Sequence, residues 1–259
     1  MLVGSAVVVG GTTVAMGAGQ RFASGPARVA LVELYTSEGC SSCPPAERWL
    51  GDLRGAPGLW RDFVPVAWHV DYWNRLGWPD RFSTKDHTQR QYAVAAAWGS
   101  GSVYTPCFVR DGEEWRGEKA VPRESAGGKP VGEIVLAVGD AGQCRVEFIV
   151  TPAAVAGSAG AKESKGELTV HVAVLGGGFA SKVTAGENRG ETLRQEFVAL
   201  AVGEYPLTRT RANEGAVRSV EFALPATKIT DGERRAVAVW VTRRGELTPL
   251  QATGGWLGR

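Results

Sequence analysis

The segment that most restricts this chain lies between Arg28 and Leu53. Residues 28–36 form a near-continuous apolar run rich in β-formers, the pattern of a strand buried on both faces. The run stops at Ser37, Glu38 and Gly39. After Cys40, Ser41, Ser42 and Cys43 come Pro44 and Pro45, which suit a first helical turn, and behind them Ala46, Trp49, Leu50 and Leu53 recur at helical spacing. The reading is strand, cysteine turn, helix.

Two sulfurs across a turn at a helix start have chemical consequences. Unpaired backbone N–H groups and the positive end of the helix dipole favour the thiolate of the first cysteine. In such motifs its pKa falls from roughly 8.5 to about 3.5–7.5. Cys40 would then attack a disulfide and form a mixed disulfide, which Cys43, one turn deeper, resolves. A C-x-x-C pair is also half of a zinc site or a plain structural bridge. A closed zinc knuckle needs a second pair at similar spacing, and the chain offers only scattered Cys107, Cys144, His69, His87 and His171. Placement between a buried strand and a helix favours redox use.

The rest of the chain divides by texture. A second strand is expected at Phe63 to Val70, and Ser83 is placed to cap a helix running through Gln91 to Ala96. Thr105 and Pro106 lead into a strand at Cys107 to Arg110, and Asp111-Gly112 is a two-residue hairpin signal. Beyond about Gly128, short runs at 133–138, 145–150, 168–175, 217–224 and 236–242 alternate apolar and polar residues, an antiparallel sandwich pattern. The expectation is an α/β domain over 26–127, which the family resemblance given below makes thioredoxin-like, followed by an all-β immunoglobulin-like sandwich domain over 128–259. Seven of the nine tryptophans precede the boundary, which suggests separate cores.

Met1 to Gln20 carries no charge and reads as a weak export segment within a 1–25 leader, the rivals being a disordered leader or a single anchoring helix. An exported protein, periplasmic or secreted, is the expectation. A net charge of +2 leaves no basic field for nucleic acid or for specific lipid binding.

Several blocks carry a family resemblance. Residues 32–46 around the cysteines, His69 to Trp73 with Leu76 to Trp78, Val103 to Pro106, and Gly186 to Leu193 resemble, in that order, the thioredoxin-like family known as domain of unknown function 1223. The resemblance implies a thioredoxin fold, export and no established substrate. By likeness to thioredoxins, Pro106 would be a cis-proline facing the cysteines, and Thr105 would offer backbone groups to an extended substrate. Glu33 lies one residue out of register with the buried acid of thioredoxins. In this apolar run its carboxyl would either have a raised pKa and serve as a general base, or point outward to solvent. Cys107 follows the Thr-Pro pair where the family often has a polar residue, so a third thiol near the first two is expected. Residues 118–130 make a poor final helix.

The site set is therefore Cys40, Cys43, Pro106, Thr105 and Glu33, with no metal and no cofactor beyond a redox-active Cys40–Cys43 disulfide. The partners would be a thiol or disulfide substrate protein and a separate redox partner. Three further readings stand beside it. One is a soft-metal, copper-binding protein using Cys40, Cys43 and His69 or Cys107. Another is a binding module with an inert disulfide. The third concerns structure only, a Cys107–Cys144 bridge. His69 and Asp71 are read as a loop pair that hydrogen-bonds internally, tunes the thiolate or binds metal. Trp68, Tyr72, Trp73, Trp78 and Phe82 are read as core, or as a cover for an apolar substrate.

Overall fold

The computed structural model describes residues 19–116, 120–121, 130–151, 167–209 and 217–258. The export segment up to residue 18 and most of the expected weak helix at 118–130 lie outside the described residues. Among the described residues no helix is long and apolar enough to cross a membrane.

The chain enters through β1 (Gln20–Ala23), so the end of the proposed leader is a sheet strand. Strand β2 (Ala30–Thr36) follows, buried throughout as its apolar run demands, then α1 (Pro44–Asp52) and β3 (Phe63–His69). Next come α2 (Lys85–Ala97), β4 (Cys107–Arg110) and β5 (Glu113–Glu114). β2 pairs parallel with β3, placing Thr36 opposite His69, and antiparallel with β4, placing Tyr35 opposite Cys107. Asp111 and Gly112 both take positive φ, 54° and 85°, as a two-residue hairpin turn requires. The cap of α2 is Thr84 rather than Ser83. The Thr84 Oγ1 accepts from His87 N at 3.1 Å, while Ser83 Oγ donates to the Asp80 carbonyl at 2.8 Å.

The second half supplies β6 (Glu133–Val138), β7 (Gln143–Ile149), β8 (Leu168–Gly177), β9 (Phe179–Lys182) and β10 (Thr192–Gln195). These are followed by β11 (Val198–Arg209), β12 (Val217–Ala223), β13 (Arg234–Arg243) and β14 (Pro249–Trp256). β9 and β10 form a separate two-stranded hairpin.

The expected thioredoxin-like α/β domain followed by an immunoglobulin-like sandwich is corrected by the pairing of β11. Its first residue pairs parallel with β3 at Val198↔Ala67, its body pairs antiparallel with β8, and its end pairs with β12. Twelve strands, drawn from both sides of residue 128, thus form one mixed sheet in a mostly β protein. The physical reason is the outer edge of β3, which would otherwise present unpaired backbone groups; Ala67 N donates instead to the Phe197 carbonyl at 2.8 Å. A sandwich layering does exist: Ile134, Leu136, Val146 and Phe148 pack against Val170, Val172, Val237 and Val239. Its inner layer runs on into β3 and β2.

The cores are not separate either. Leu31, Leu34, Val66 and Trp68 share one apolar cluster with Ala173, Leu175, Ala238 and Trp240. Both late tryptophans meet early ones edge-on, Trp240 against Trp68 at 6.3 Å and Trp256 against Trp60 at 5.4 Å between ring centroids. Leu31, Leu34 and Val66, fully buried in this cluster, contribute about 1.5–3 kcal/mol each.

A buried disulfide turn under a distant hairpin

Cys43 is the N-cap of α1 and accepts from the amides of Ala46 and Glu47 at 2.9 and 3.1 Å. Pro44 and Pro45 open the helix and contribute no N–H donors. The preceding turn is closed by Cys43 N donating to the Cys40 carbonyl at 3.2 Å and by Cys40 N donating to the Ser37 carbonyl at 3.1 Å. Cys40 and Cys43 are joined as a disulfide, their Cα atoms 5.4 Å apart. The Thr105–Pro106 peptide bond is cis. The Thr105 carbonyl oxygen lies 3.7 Å from Cys40 Sγ, and Thr105 Oγ1 accepts from Trp73 Nε1 at 2.8 Å.

Both cysteines are 0% exposed, although Ser41 and Ser42 between them are open to solvent. The turn is also tied to a segment far along the chain. In the loop between β9 and β10, the Glu187 carboxylate accepts from Ser41 N at 3.0 Å and from Ser41 Oγ at 2.7 Å. Buried Asn188 donates from Nδ2 to the Glu38 carbonyl at 2.9 Å and to the Cys40 carbonyl at 3.0 Å. Gly186 takes a φ of 74° and lets the loop close on Trp78, where a side chain would meet the Trp78 Cβ at 3.3 Å.

A cluster of acids sits on the α1 side of the sheet. Buried Asp80 accepts from His69 Nδ1 at 2.7 Å, from Glu38 N at 2.9 Å and, on its other oxygen, from Phe82 N at 2.9 Å. Burial would push the His69 imidazole down, but the Asp80 carboxylate outweighs it and lifts the pKa to about 9, with Glu47 and Glu38 adding. The second ring nitrogen of His69, Nε2, is buried and makes no hydrogen bond among the described residues. Glu47, four residues past Cys43, accepts from Thr36 Oγ1 at 2.7 Å and from Gln195 Nε2 at 3.1 Å, and burial raises its pKa. Glu38 is likewise raised, by burial and then by the charge of Asp80; its carboxylate accepts from Trp78 Nε1 at 3.0 Å.

Of the five residues the sequence singles out, Cys40, Cys43, Thr105 and Pro106 meet at this turn. Glu33 does not. Alternation along β2 sends Thr36 toward α1 and Glu33 to the opposite face, where Arg90 of α2 pairs with it at 2.6 Å and Trp68 Nε1 donates to it at 3.0 Å. It neither reaches the cysteines nor points to solvent, so its candidacy as general base is withdrawn. Cys107 also misses the pair. It shares a small pocket with Tyr35, Gln91, Val94 and Tyr104, and burial pushes its thiol up to about 11. Cys107 and Cys144 are free, buried thiols, so the expected alternative of a bridge between them is not formed. His69 bonds Asp80 rather than Asp71, whose carboxylate accepts from Thr88 Oγ1 at 2.6 Å. Among the described residues no group of three or more His, Cys, Asp or Glu side chains is placed to hold a metal, so the copper ligand set is not assembled. Trp68 and Phe82 are core, while Trp73 and Trp78 flank the cysteine turn and use their indole N–H groups on Thr105 and Glu38.

Glu187, Asn188, Glu38, Glu47 and Asp80 were not singled out by their chemistry in the sequence. The only signal for the first two was the Gly186 to Leu193 block, whose position on the turn no local pattern reveals.

A family model described as "Protein of unknown function (DUF1223)" matches residues 31–242. The chain belongs to the DUF1223 family. The matched DUF1223 region contains the cysteine turn, Thr105–Pro106 and the Gly186–Asn188 loop, and leaves out β1 and β14. No curated protein matches the chain. Among solved structures it is similar to protein AGR_C_4864 from Agrobacterium tumefaciens, at 24% identity and a TM-score of 0.54, over 89% of this chain and 94% of that one. It is also similar to HBP35 of Porphyromonas gingivalis, at 16% identity and a TM-score of 0.58, over 89% of this chain and 76% of that one. At these identities the likeness concerns the fold alone.

Proposed function

We propose that this DUF1223 protein is a thiol–disulfide oxidoreductase that exchanges its Cys40–Cys43 pair with disulfides or dithiols of exported proteins, or with small thiols. One observation carries the reading: the pair spans the turn that opens α1, with the Thr105 carbonyl against Cys40. In the reducing direction the Cys40 thiolate attacks one sulfur of a substrate disulfide and expels the other as a thiolate. The Cys43 thiolate then attacks Cys40 Sγ, releasing the second substrate thiolate and closing the protein disulfide. Two electrons pass to the substrate, and the reverse steps oxidise a dithiol. The Thr105 backbone serves an extended substrate segment. A separate redox partner resets the pair.

Cys43→Ser removes the resolving sulfur and is expected to accumulate mixed disulfides through Cys40, read as mass adducts that a reductant releases. Absence of adducts, together with a pair that does not exchange with glutathione, would sink the proposal. The rival reading is an inert structural bond, favoured by the burial of both sulfurs. A reduction potential below about −300 mV decides for it.

A further inference from the structure

We infer that Glu187 is a positioning residue that sets the poise of the Cys40–Cys43 couple: its carboxylate occupies the Ser41 amide and hydroxyl, donors beside the attacking sulfur, and latches the Gly186–Gly190 loop over the intact disulfide. The inference rests on the exchange reading only in that the pair must be reducible.

A thiolate at the first cysteine of such a turn depends on nearby N–H groups and on the helix dipole. Here much of that supply is spoken for. Pro44 and Pro45 have no N–H, Cys43 N is bonded to the Cys40 carbonyl, and Ser41 N and Oγ both point at Glu187. Where a bare turn would offer partial positive charge, this one holds a carboxylate on the residue next to Cys40. Ser42 Oγ lies 3.3 Å from the sulfur, and the Thr105 carbonyl, 3.5 Å away, competes for its proton.

The carboxylate disfavours a second negative charge, so ionising Cys40 and holding Glu187 at Ser41 oppose each other. By linkage the effect is reciprocal: Glu187 stabilises the disulfide form, and a Cys40 thiolate loosens Glu187 from Ser41. Asn188 keeps the turn itself in place through the Glu38 and Cys40 carbonyls, so the latch can release without unfolding the loop. Other charges facing the turn come from Glu38, and from His69, Asp80 and Glu47 behind it, with Arg189 exposed two residues beyond Glu187. None of these changes in the variant below.

The test is Glu187→Gln in the full chain. The amide oxygen can still accept from Ser41, so geometry is kept while charge is removed; Glu191→Gln, an exposed acid of the same hairpin, is the control. Both proteins are reduced with dithiothreitol, and Cys40 is titrated by thiolate ultraviolet absorbance and by the pH profile of its iodoacetamide alkylation. Glu187→Gln is expected to lower the titration midpoint and to raise alkylation at neutral pH several-fold. Its equilibrium with glutathione is expected to move toward the dithiol by about threefold, near 14 mV for a two-electron couple. Hydrogen exchange at the Ser41 amide is expected to be faster in the reduced wild type than in the oxidised one.

Identical thiolate titration in Glu187→Gln and wild type overturns the inference, as does equal Ser41 protection in the two redox states. A shifted titration in a protein that traps no substrate supports it and removes only the enzymatic reading.

Discussion

The two faces of β2 and β3 each bury a histidine and an acid, and they treat them in opposite ways. On the α2 face His87 lies edge-on to Trp68, 5.1 Å between ring centroids, and burial pushes its pKa down to about 4. On the α1 face His69 is held up at about 9 by Asp80. A single hydrogen bond, His87 Nδ1 to the His69 carbonyl at 3.1 Å, joins the two. The acids differ in the same sense. Glu33, beside α2, has a full counter-charge in Arg90, which also stacks over Trp68 at 5.0 Å and Trp240 at 5.4 Å. Glu47, on α1, accepts hydrogen bonds from the neutral groups Thr36 and Gln195, and burial raises its pKa. The lesson is that one sheet separates a guanidinium–carboxylate pair on the α2 side from a histidine–carboxylate pair with two further buried acids, Glu38 and Glu47, on the α1 side, and the cysteines stand on the second side.

The largest expected effect breaks the first set. Arg90→Met leaves Glu33 buried without its partner and is expected to cost about 3–5 kcal/mol, read from denaturant midpoints. Adding Glu33→Gln should recover most of that loss. No recovery would show that Arg90 matters for its packing against the two tryptophans instead.

The next effect is a slope. His69 has a folded pKa above its unfolded value of about 6.5, so the stability it contributes is fully present below that pH and is lost as pH rises through about 9. His87 has a folded pKa below the unfolded one, so its contribution is present above about 6.5 and lost as pH falls through about 4. Stability is therefore expected to peak near neutrality. Asp80→Asn should flatten the alkaline limb, on the order of 3 kcal/mol between about pH 6.5 and 9, and leave the His87 contribution to the acid limb in place. An alkaline limb of unchanged slope in Asp80→Asn would remove the ion pair from the account.

The smallest effect sharpens the contrast between the acids. Glu47 bonds the neutral groups Thr36 and Gln195 rather than a cation, and the amide of Glu47→Gln still offers Thr36 Oγ1 an acceptor, so this substitution is expected to change stability by less than about 1 kcal/mol. A loss as large as that of Arg90→Met would mean that the Glu47 carboxylate is needed for the structure.

Local pattern carried the strand, cysteine turn and first helix, because an apolar run, two prolines and helical spacing each act within a few residues. It failed wherever the answer depended on which face of a doubly buried strand a side chain takes. Glu33 sits in such a run, and nothing in residues 30–36 tells the α1 side from the α2 side; Arg90, the residue that decides it, is 57 positions away. Strand β11 has no clear strand pattern because Gly203 and Pro206 interrupt it, yet it is the strand that joins the two halves. Glu187 and Asn188 look like ordinary loop polars until a hairpin folds them back 146–150 positions along the chain.

That distance bears on how the protein is made. Synthesis proceeds from the amino end, so Cys40 and Cys43 emerge long before Asn188, 148 residues later, can reach the Cys40 carbonyl. Through that interval the nascent sulfurs are open to any thiol or oxidant around them, and only the finished chain shuts the door.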